Sequence, residues 1–451
     1  MSLTKFVGLL AGSTLTLTSV SFGATEANND TTAQQIKELQ AEINSLKAQQ
    51  GEQWLTEQRA AQVRGIVQDV LADADTRASL QNTAATSGYD NGFFIQSADG
   101  NFKLKLTALE QIRFVWNNRY NTATGPENQW GFENRRTQIW FTGNVVDPTW
   151  TYAIGLQYNS QLDSWTSGTG YGVNYLYVQK QFGDFFVRVG QFSVPWTLES
   201  QLWSAGQTQT GEFSPFEYMF GVGLGTGAMA GWSNDMLKIQ GSFVNNLDGN
   251  VFYNPGVATP PTWNSFANNS VAFSLRGDLK LAGKWEQFAD ESSFRGEEFG
   301  AKIGVGFIYA NTRAQNAFAS LNSPLGVTVD GMLDFGGANI IAQFAYNEDV
   351  IGGGGDQYGF NVQGGFFIAD ALELFGAWTW AHVNFGVPGI ADTDGSVAQF
   401  GGNWYIAKNN CKATLAFIIP IDNKFPMPAG MGLSTFGQEN FSLMAQLQVQ
   451  F

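Results

Sequence analysis

The stretch FSLMAQLQVQF, residues 441–451, closes the chain and decides the fold. Its residues alternate between an apolar and a polar face, and this period of two predicts a β-strand rather than a helix. The apolar face consists of Phe441, Leu443, Ala445, Leu447, Val449 and Phe451. The alternation lasts roughly twice the five to six residues of an average strand and suits the roughly 9–11 residues with which a tilted strand crosses a bilayer. The stretch therefore predicts a membrane-spanning strand that ends on an aromatic residue.

The same alternation recurs from about Phe93 onwards. It is clearest in Trp150–Tyr158, Val271–Leu281 and Phe299–Tyr309. Arg276 and Lys280 lie opposite the apolar residues of their segment. Because an Arg or Lys on the lipid side costs roughly 2–4 kcal/mol at the bilayer midplane, we expect both to point into the lumen or to lie at an interface.

The connections between these strands alternate in length. Short turns of Gly, Asn, Asp and Pro alternate with longer segments, which is typical of outer-membrane barrels with short periplasmic turns and long outer loops. One connection departs from the pattern, since Ala282–Glu298 is long where a short turn is due. With that exception, the pattern predicts an all-β, antiparallel transmembrane barrel of about 16 strands. Both ends of the barrel are then expected on the periplasmic side.

The composition favours such a barrel over a soluble protein. Charged residues make up 14% of the chain, against roughly 25% in soluble domains, while the chain contains 53 glycines. The net charge of -15 argues against a nucleic-acid partner, and a single cysteine, Cys411, excludes an internal disulfide framework.

The N-terminal part has a different organisation. Residues 1–23 resemble a secretory signal peptide, with an uncleaved membrane anchor as the alternative. Residues 24–50 are predicted to form a coiled coil, because apolar residues recur there at spacings of three and four. Its predicted core is Ile36, Leu39, Ile43 and Leu46. Residues 51–92 are predicted to contain an amphipathic helix and a linker, and residues 93–451 the barrel. The helical part could be an oligomerisation stalk, a plug for the barrel or a grip on the cell wall.

The sequence contains little that indicates a catalytic site. His382, the only histidine, lies in a strand beside Trp378 and Trp380, and neither a catalytic triad nor a metal-binding pattern accompanies it. The segment Gly225–Ala230 fits a dinucleotide-binding pattern but has no helix after it. We therefore expect no catalytic residues, no metal and no cofactor.

Basic residues on the polar faces of the strands are the better indication of function, since rings of charge set ion preference in pores. The pore-lining candidates are Lys103, Lys105, Arg113, Arg136, Arg188, Arg276 and Lys302. The third long connection, Ser193–Glu217, is the candidate for a constriction loop because apolar residues could anchor its ends. It carries Glu199, Glu212 and Glu217 and no Lys or Arg. An acidic loop facing a basic wall would produce a transverse electric field.

The chain resembles the phosphate-selective porin O/P family over roughly Gly92–Phe451. The resemblance is carried by Phe132-Glu-Asn-Arg-Arg136 and by Val187–Trp196, which is similar to the family's R-x-G-Q-F-K-x-P-F segment, with Ser193 where the family often has Lys. It implies a trimeric barrel of 16 strands, in some members with a periplasmic coiled coil, and anion conduction through a basic pore. The Ile and Leu core of the coiled coil by itself favours a dimer.

These observations predict a porin in the outer membrane of a Gram-negative-type bacterium, a passive diffusion channel for small hydrophilic solutes or ions, including anions such as phosphate. A structural protein whose periplasmic stalk tethers the membrane to the cell wall is the alternative. The expected partners are outer-membrane lipid, two further copies of the chain, and the barrel-assembly machinery, which would engage the strand ending at Phe451.

Overall fold

The computed structural model divides the chain into two units, Met1–Asn82 and Thr83–Phe451. It describes residues 29–54, 61–69, 85–119, 128–159, 170–245, 271–311, 325–351, 355–384, 391–421 and 439–451. The predicted signal peptide lies outside the described residues.

The first unit is helical where it is described. Helix α1 spans Asn29–Trp54, and residues 61–69 form helix α2. Helix α1 continues through Gly51, past residue 50, where the predicted coiled-coil segment ends. The predicted coiled-coil core is solvent-exposed in the single chain, with Ile36 52% and Leu39 58% exposed; its pairing with other copies stays a prediction. Among the described residues, no helix combines the length and the apolar character needed to cross a membrane.

The second unit is a single antiparallel sheet, and its described part contains 18 strands. Two of them, β1 (Thr86–Tyr89) and β2 (Phe93–Gln96), form a short hairpin that pairs with the start of β3. The others are β3 Lys103–Arg119, β4 Asn128–Val145, β5 Asp147–Asn159, β6 Gly170–Phe182, β7 Phe185–Ser193, β8 Leu224–Ser233, β9 Leu237–Asn245, β10 Val271–Ala282, β11 Gly300–Asn311, β12 Leu325–Asp334, β13 Ala338–Ile351, β14 Gly355–Ala369, β15 Leu372–Val383, β16 Thr393–Ala407, β17 Cys411–Pro420 and β18 Glu439–Gln450.

These longer strands close into a barrel of 16, as the sequence predicted. Each pairs with its neighbours in the chain, and β18 returns to β3 with Leu443 opposite Trp116. Closure matters because hydrocarbon offers no partner to an unpaired backbone group, and a closed sheet has no free edge.

The period of two sorts the side chains onto the two faces of the wall. In β11, Ile303, Val305 and Phe307 are 46%, 51% and 40% exposed on the outside, whereas Lys302 and Ile308 on the inside are buried. The same division holds in the last strand, where Leu447 is 48% exposed and Gln448 is fully buried. The outer surface is therefore an apolar band suited to lipid, and polar side chains point inwards.

The predicted short turns lie at one rim of the barrel. Single or paired residues such as Val146 and Gly183-Asp184 connect the strands there. Val146 adopts a φ of 69°, a left-handed conformation that is rare for a β-branched residue and that closes the tight β4–β5 turn. The first strand of the barrel, β3, begins at this rim, and the last strand, β18, ends there. We call it the turn rim.

Candidate functional site

The lumen is occupied by the connection between β7 and β8, residues 194–223, which we call loop L3. It contains two short 3-10 turns, Glu199–Gln201 and Ala205–Gln207, and helix α3, Pro215–Phe220. Ser214 begins the helix by accepting a hydrogen bond from the backbone N–H of Glu217, and Pro215 occupies the first helical position. Trp196, Phe216 and Phe220 are fully buried, so L3 packs against the inner wall as a folded element.

One anchor of L3 is an ion-pair cluster around Glu212. Its carboxylate accepts hydrogen bonds from Arg113 at 3.2 Å, from Arg135 at 2.7 Å and from Arg136 at 2.5 and 3.0 Å. Arg113 also pairs with Glu133. The consecutive residues Arg135 and Arg136 both point inwards because a bulge between Gln111 and Ile112 leaves Arg135 without an opposite residue in β3. Burial alone would raise the pKa of Glu212, but the three guanidinium groups hold it well below its ordinary value.

A second anchor holds the start of L3. Arg276 donates to the backbone carbonyl of Trp196 at 2.7 Å and to the carboxylates of Asp278 and Asp330 at 2.5–3.0 Å. Its side chain is 1% exposed. A fixed guanidinium with both carboxylates in place can hold a backbone carbonyl in one position, because its five donors have a rigid geometry.

The middle of L3 reaches the turn rim and binds there through amides. Lys412 donates to the carbonyls of Gly206 and Thr208 at 3.1 and 2.7 Å. Gln209 donates to the side chains of Asn339 and Glu373 at 2.8 and 2.6 Å. These contacts attach the loop to strands β13, β15 and β17, far along the chain from β7 and β8.

The connection between β10 and β11, residues 283–299, also folds into the barrel, and we call it the inward turn. It is the connection whose length departed from the sequence pattern. It starts under β8 and β9, where Trp285 donates to the carbonyl of Asn234 at 3.0 Å, and it reaches β14 and β16, where the ring centroid of Phe294 lies 5.0 Å from that of Tyr405.

L3 and the inward turn leave the inner wall from β3 to β10 less covered than the rest. The charged side chains that stay partly exposed on this stretch of inner face, within the described strands, are basic. They are Lys103, Lys105, Arg188, Lys238 and Lys280. L3 itself has three partly exposed neutral residues, Gln201, Trp203 and Gln207, and one partly exposed carboxylate, Glu217. A solute passing the loop would therefore meet positive charge, amides and aromatic rings.

Arg188 is held in place at this wall. Its guanidinium carbon lies 4.2 Å from the ring centroid of Tyr177 and 5.4 Å from that of Phe186. Its Nε and Nη2 donate to Gln179 at 3.0 and 2.8 Å. Stacking fixes the plane of the group, as is typical of Arg, so the charge occupies a defined position in the passage.

The predicted pore-lining residues thus separate into two groups. Lys105 and Arg188 are partly exposed, as is Lys103, whose Nζ lies 3.9 Å from Asp90. Arg113, Arg136, Arg276 and Lys302 point inwards but are 1–6% exposed; the first three bind L3 or its anchoring carboxylates, and Lys302 lies over the ring of Phe288. The expectation that these four line the open pore is corrected, because L3 and the inward turn cover them.

The acidic residues of L3 also differ from expectation. Glu199 is buried and accepts from Ser214 and from Gln343 at 2.8 Å, and Glu217 accepts from Thr197 at 2.5 Å. Burial raises the pKa of Glu199 and Glu217. Glu199 is buried and Glu212 is neutralised by three arginines, so Glu217 is the one of these three carboxylates that stays partly exposed. The acidic side of the expected transverse field is therefore weaker than the sequence predicted.

Sequence reasoning missed Arg135, Lys412 and Glu291. Arg135 has the parity of an outward residue, and only the bulge reverses it. Lys412 shares the inward parity of Thr414 and Ala416, so the alternation in β17 could have identified it. Glu291 lies in a connection, where parity carries no information.

Nothing in the described residues points to catalysis. His382 shares a hydrogen bond of 2.9 Å with Asp394 and lies beside the ring of Tyr358. No group of acidic, histidine or cysteine side chains within the described ranges could hold a metal ion.

Several solved structures share this fold. An anion-selective porin from Comamonas acidovorans aligns with a TM-score of 0.52 at 11% identity, over 77% of this chain and 99% of that chain. OmpF of Salmonella typhi, in complex with daunomycin, aligns with a TM-score of 0.51 at 12% identity, over 81% and 100%. OmpT of Vibrio cholerae, folded in vitro, aligns with a TM-score of 0.50 at 9% identity. A search of curated protein sequences gave no match.

The closed barrel of 16 strands is the fold of these porins. Within this class, residues 111–254 match the model of the family described as phosphate-selective porin O and P, which confirms the resemblance found in the sequence. The matched region includes the arginine cluster, L3 and Arg188.

Proposed function

We propose that the protein is a passive diffusion channel for small hydrophilic solutes with a preference for anions. The observation that carries this proposal is the different burial of the two kinds of charge. The carboxylates of Glu199 and Glu212 are 1% and 2% exposed, whereas Lys105, Arg188, Lys238 and Lys280 remain partly exposed. On the inner wall from β3 to β10, the charge that a passing ion meets is therefore positive, although Glu217 of L3 is partly exposed and the whole chain carries -15.

Phosphate is one candidate solute, as the family description suggests. L3 itself contributes no Lys or Arg to the passage, and the exposed basic groups lie on several strands rather than in one pocket. This arrangement supports a general preference for small anions more directly than a dedicated phosphate site.

Ion selectivity can be measured directly. Purified protein in planar bilayers should give stable ohmic steps, and a salt gradient should give a reversal potential of the sign expected for anions. Added phosphate should compete with chloride if both use the basic wall. A reversal potential that indicates cation preference would contradict the proposal, and the absence of conductance from folded barrels would remove the channel function altogether.

We propose further that the functional unit is a homotrimer. Glu110 supports this, since it lies in β3 on the outer face with Ile112, where its carboxylate accepts a hydrogen bond of 2.6 Å from Thr137. Asn134 lies in the same polar strip and donates to Thr137 at 3.0 Å. Acidic groups facing lipid are unfavourable, though less so than the roughly 2–4 kcal/mol of Arg or Lys, so a protein neighbour is a better environment than acyl chains. Conductance steps in multiples of three would agree with this state.

The helical N-terminal unit is proposed to be a periplasmic stalk that follows the removed signal peptide, with residues 24–50 as its coiled coil and residues 51–92 leading to the barrel. The proposal rests on the position of the barrel's first strand, which begins at the turn rim, and on the periplasmic location of short turns in outer-membrane barrels. The barrel-assembly machinery would engage β18, which ends at the same rim beside Phe451.

A tether between membrane and cell wall is the second candidate function, because the apolar face of α1 is exposed in the single chain. Pull-down on peptidoglycan with and without residues 24–85 separates the two functions. A tether would lose binding on truncation and keep its conductance, whereas a plain porin would show no binding in either form.

A further inference from the structure

We infer that the inward turn, residues 283–299, is a second constriction element that enters the lumen from the turn rim and holds L3 in its inward position. It thereby acts as a determinant of solute size. The inference rests on the proposed channel function and extends it to a segment outside residues 111–254, the region that the family model matches. The first observation behind the inference is the length of this segment. A tight turn could connect the two strands that it joins, since Ala282 lies opposite Ala301.

The inward turn is a folded element with its own buried anchors. Phe288 is 7% exposed and packs with Leu198 of L3 and with Met332 and Ile341 of the wall. Trp285 lies under two lysines, with the Nζ atoms of Lys238 and Lys280 at 4.1 and 5.5 Å from its ring centroid. The segment therefore covers part of the wall on which the exposed basic residues lie.

Its middle is attached directly to L3. The backbone N–H of Glu291 donates to the carbonyl of Gln207 at 3.0 Å, and the carboxyl group of Glu291 accepts from the backbone N–H of Gln209 at 2.8 Å. The carbonyl of Glu291 also accepts from Asn339 of β13. Glu291 is 1% exposed and links three elements, namely the inward turn, L3 and the wall.

The far end of the segment is fixed to the opposite side of the rim. The hydroxyl of Ser292 lies 2.7 Å from that of Tyr405, and Ser293 accepts from the backbone N–H of Gly336 at 3.0 Å. Arg295 donates to the carbonyl of Phe367 at 2.6 Å. The segment thus crosses the turn rim from β8 and β9 to β14 and β16, and it closes the β10–β16 side of the mouth.

The two lumen segments therefore have different roles. L3 narrows the lumen, and the inward turn contacts residues 207–209 of L3 from the side of the turn rim. A passage bounded by both segments is narrower than one bounded by L3 alone, so removal of the support should widen it. The side chain of Glu291 is a positioning group for L3 and need not touch the solute.

The test compares three variants with the wild-type chain in planar bilayers. Glu291→Ala removes the acceptor of the Gln209 N–H, and loss of one such bond should shift the ratio of docked to undocked L3 roughly two- to tenfold. Replacing residues 283–299 with a turn of about four residues, a usual hairpin length, removes the whole element. Glu298→Ala is the matched control, because Glu298 lies in the same segment and is exposed.

We expect larger single-channel conductance and admission of larger polyethylene glycols in the Glu291→Ala and shortened variants, and wild-type values in Glu298→Ala. The effect of polymer size should be greatest when the polymer is added from the turn side. Barrel folding is checked by heat-dependent migration on gels. If both variants are folded and conduct like the wild type with the same polymer cut-off, the inference is overturned; if the wild type itself does not conduct, the proposed channel function fails instead.

Discussion

Replacement of Glu212 by Gln tests how the charges inside the barrel are balanced. The substitution keeps the shape of the side chain but removes the negative charge that three arginines share. Arg113 retains Glu133, Arg136 retains a hydrogen bond of 3.1 Å to Gln111, and Arg135 retains the hydroxyl of Tyr218 at 2.8 Å. Buried positive charge then exceeds the nearby negative charge.

The magnitude follows from the burial of the cluster. Arg113, Arg135 and Arg136 are 2%, 3% and 5% exposed, and removal of one partner from a buried ion pair costs about 3–5 kcal/mol. Part of this free-energy cost is recovered if residues around Gly211 leave the wall, because water then reaches the guanidinium groups. Since 1.4 kcal/mol corresponds to a factor of ten, the equilibrium between docked and undocked L3 should shift by a factor on the order of 10² to 10³.

The assay has two readouts. Single-channel recordings should show a larger or more variable conductance, because this part of L3 no longer stays at the wall. The reversal potential in a salt gradient should move further towards anion preference, because three guanidinium groups become accessible. Glu348→Gln, an exposed glutamate at the loop end of β13, is the control and should change neither quantity.

A folded Glu212→Gln barrel with wild-type conductance and wild-type reversal potential would refute the reasoning. That result would mean that the remaining anchors, Arg276 at Trp196 and Lys412 at Gly206, suffice to hold L3. A shift towards cation preference would contradict the charge argument independently, because the substitution removes a carboxylate.

Three further predictions concern other positions. Arg188→Gln should reduce the anion preference measured by reversal potential, since it removes a partly exposed charge from the passage, whereas Lys284→Gln on the exposed part of the inward turn should not. Burial raises the pKa of Asp290 to about 7 and that of Glu291 to about 8; the fold therefore favours their neutral forms, and its stability falls as pH rises from the ordinary carboxyl range to about 8. Conductance should accordingly increase between pH 6 and pH 9, and Glu291→Gln should diminish this dependence; an unchanged profile in that variant would assign the titration to other groups. Glu110→Arg should weaken the trimer on native gels, while Glu298→Arg should leave it intact.

The wall of the barrel could be predicted almost completely from the sequence. The period of two in residues 441–451 identifies which side chains of β18 face lipid, and the structure places Leu447 outside and Gln448 inside accordingly. This works because the pleat of a strand is a local property, and alternation of the side chains follows directly from it. The number of strands follows in the same way from the alternating lengths of the connections.

The interior could be predicted only in part. Parity indicates that Arg113, Arg136 and Arg276 point inwards, which they do, but it does not indicate whether water or a protein segment covers them. Arg135 was missed because a bulge shifts the register by one residue, and a bulge of this kind has no clear signature in the sequence. In the N-terminal unit the predicted segments divide at residue 50, but helix α1 continues to Trp54, because a single glycine inside a helix costs only about 1 kcal/mol. The pairing of α1 in a coiled coil stays a prediction.

The sequence by itself determined the strand period, the closing strand that ends at Phe451, and the inward direction of the basic residues, because each depends on neighbours in the chain. The tertiary structure alone decided which of those residues meet solvent. Glu212 lies 76 positions from Arg136 in the chain, and Glu291 lies 82 positions from Gln209, so no local pattern could bring them together. They meet because L3 and the inward turn fold back into a closed barrel, where buried charges and backbone groups must find partners.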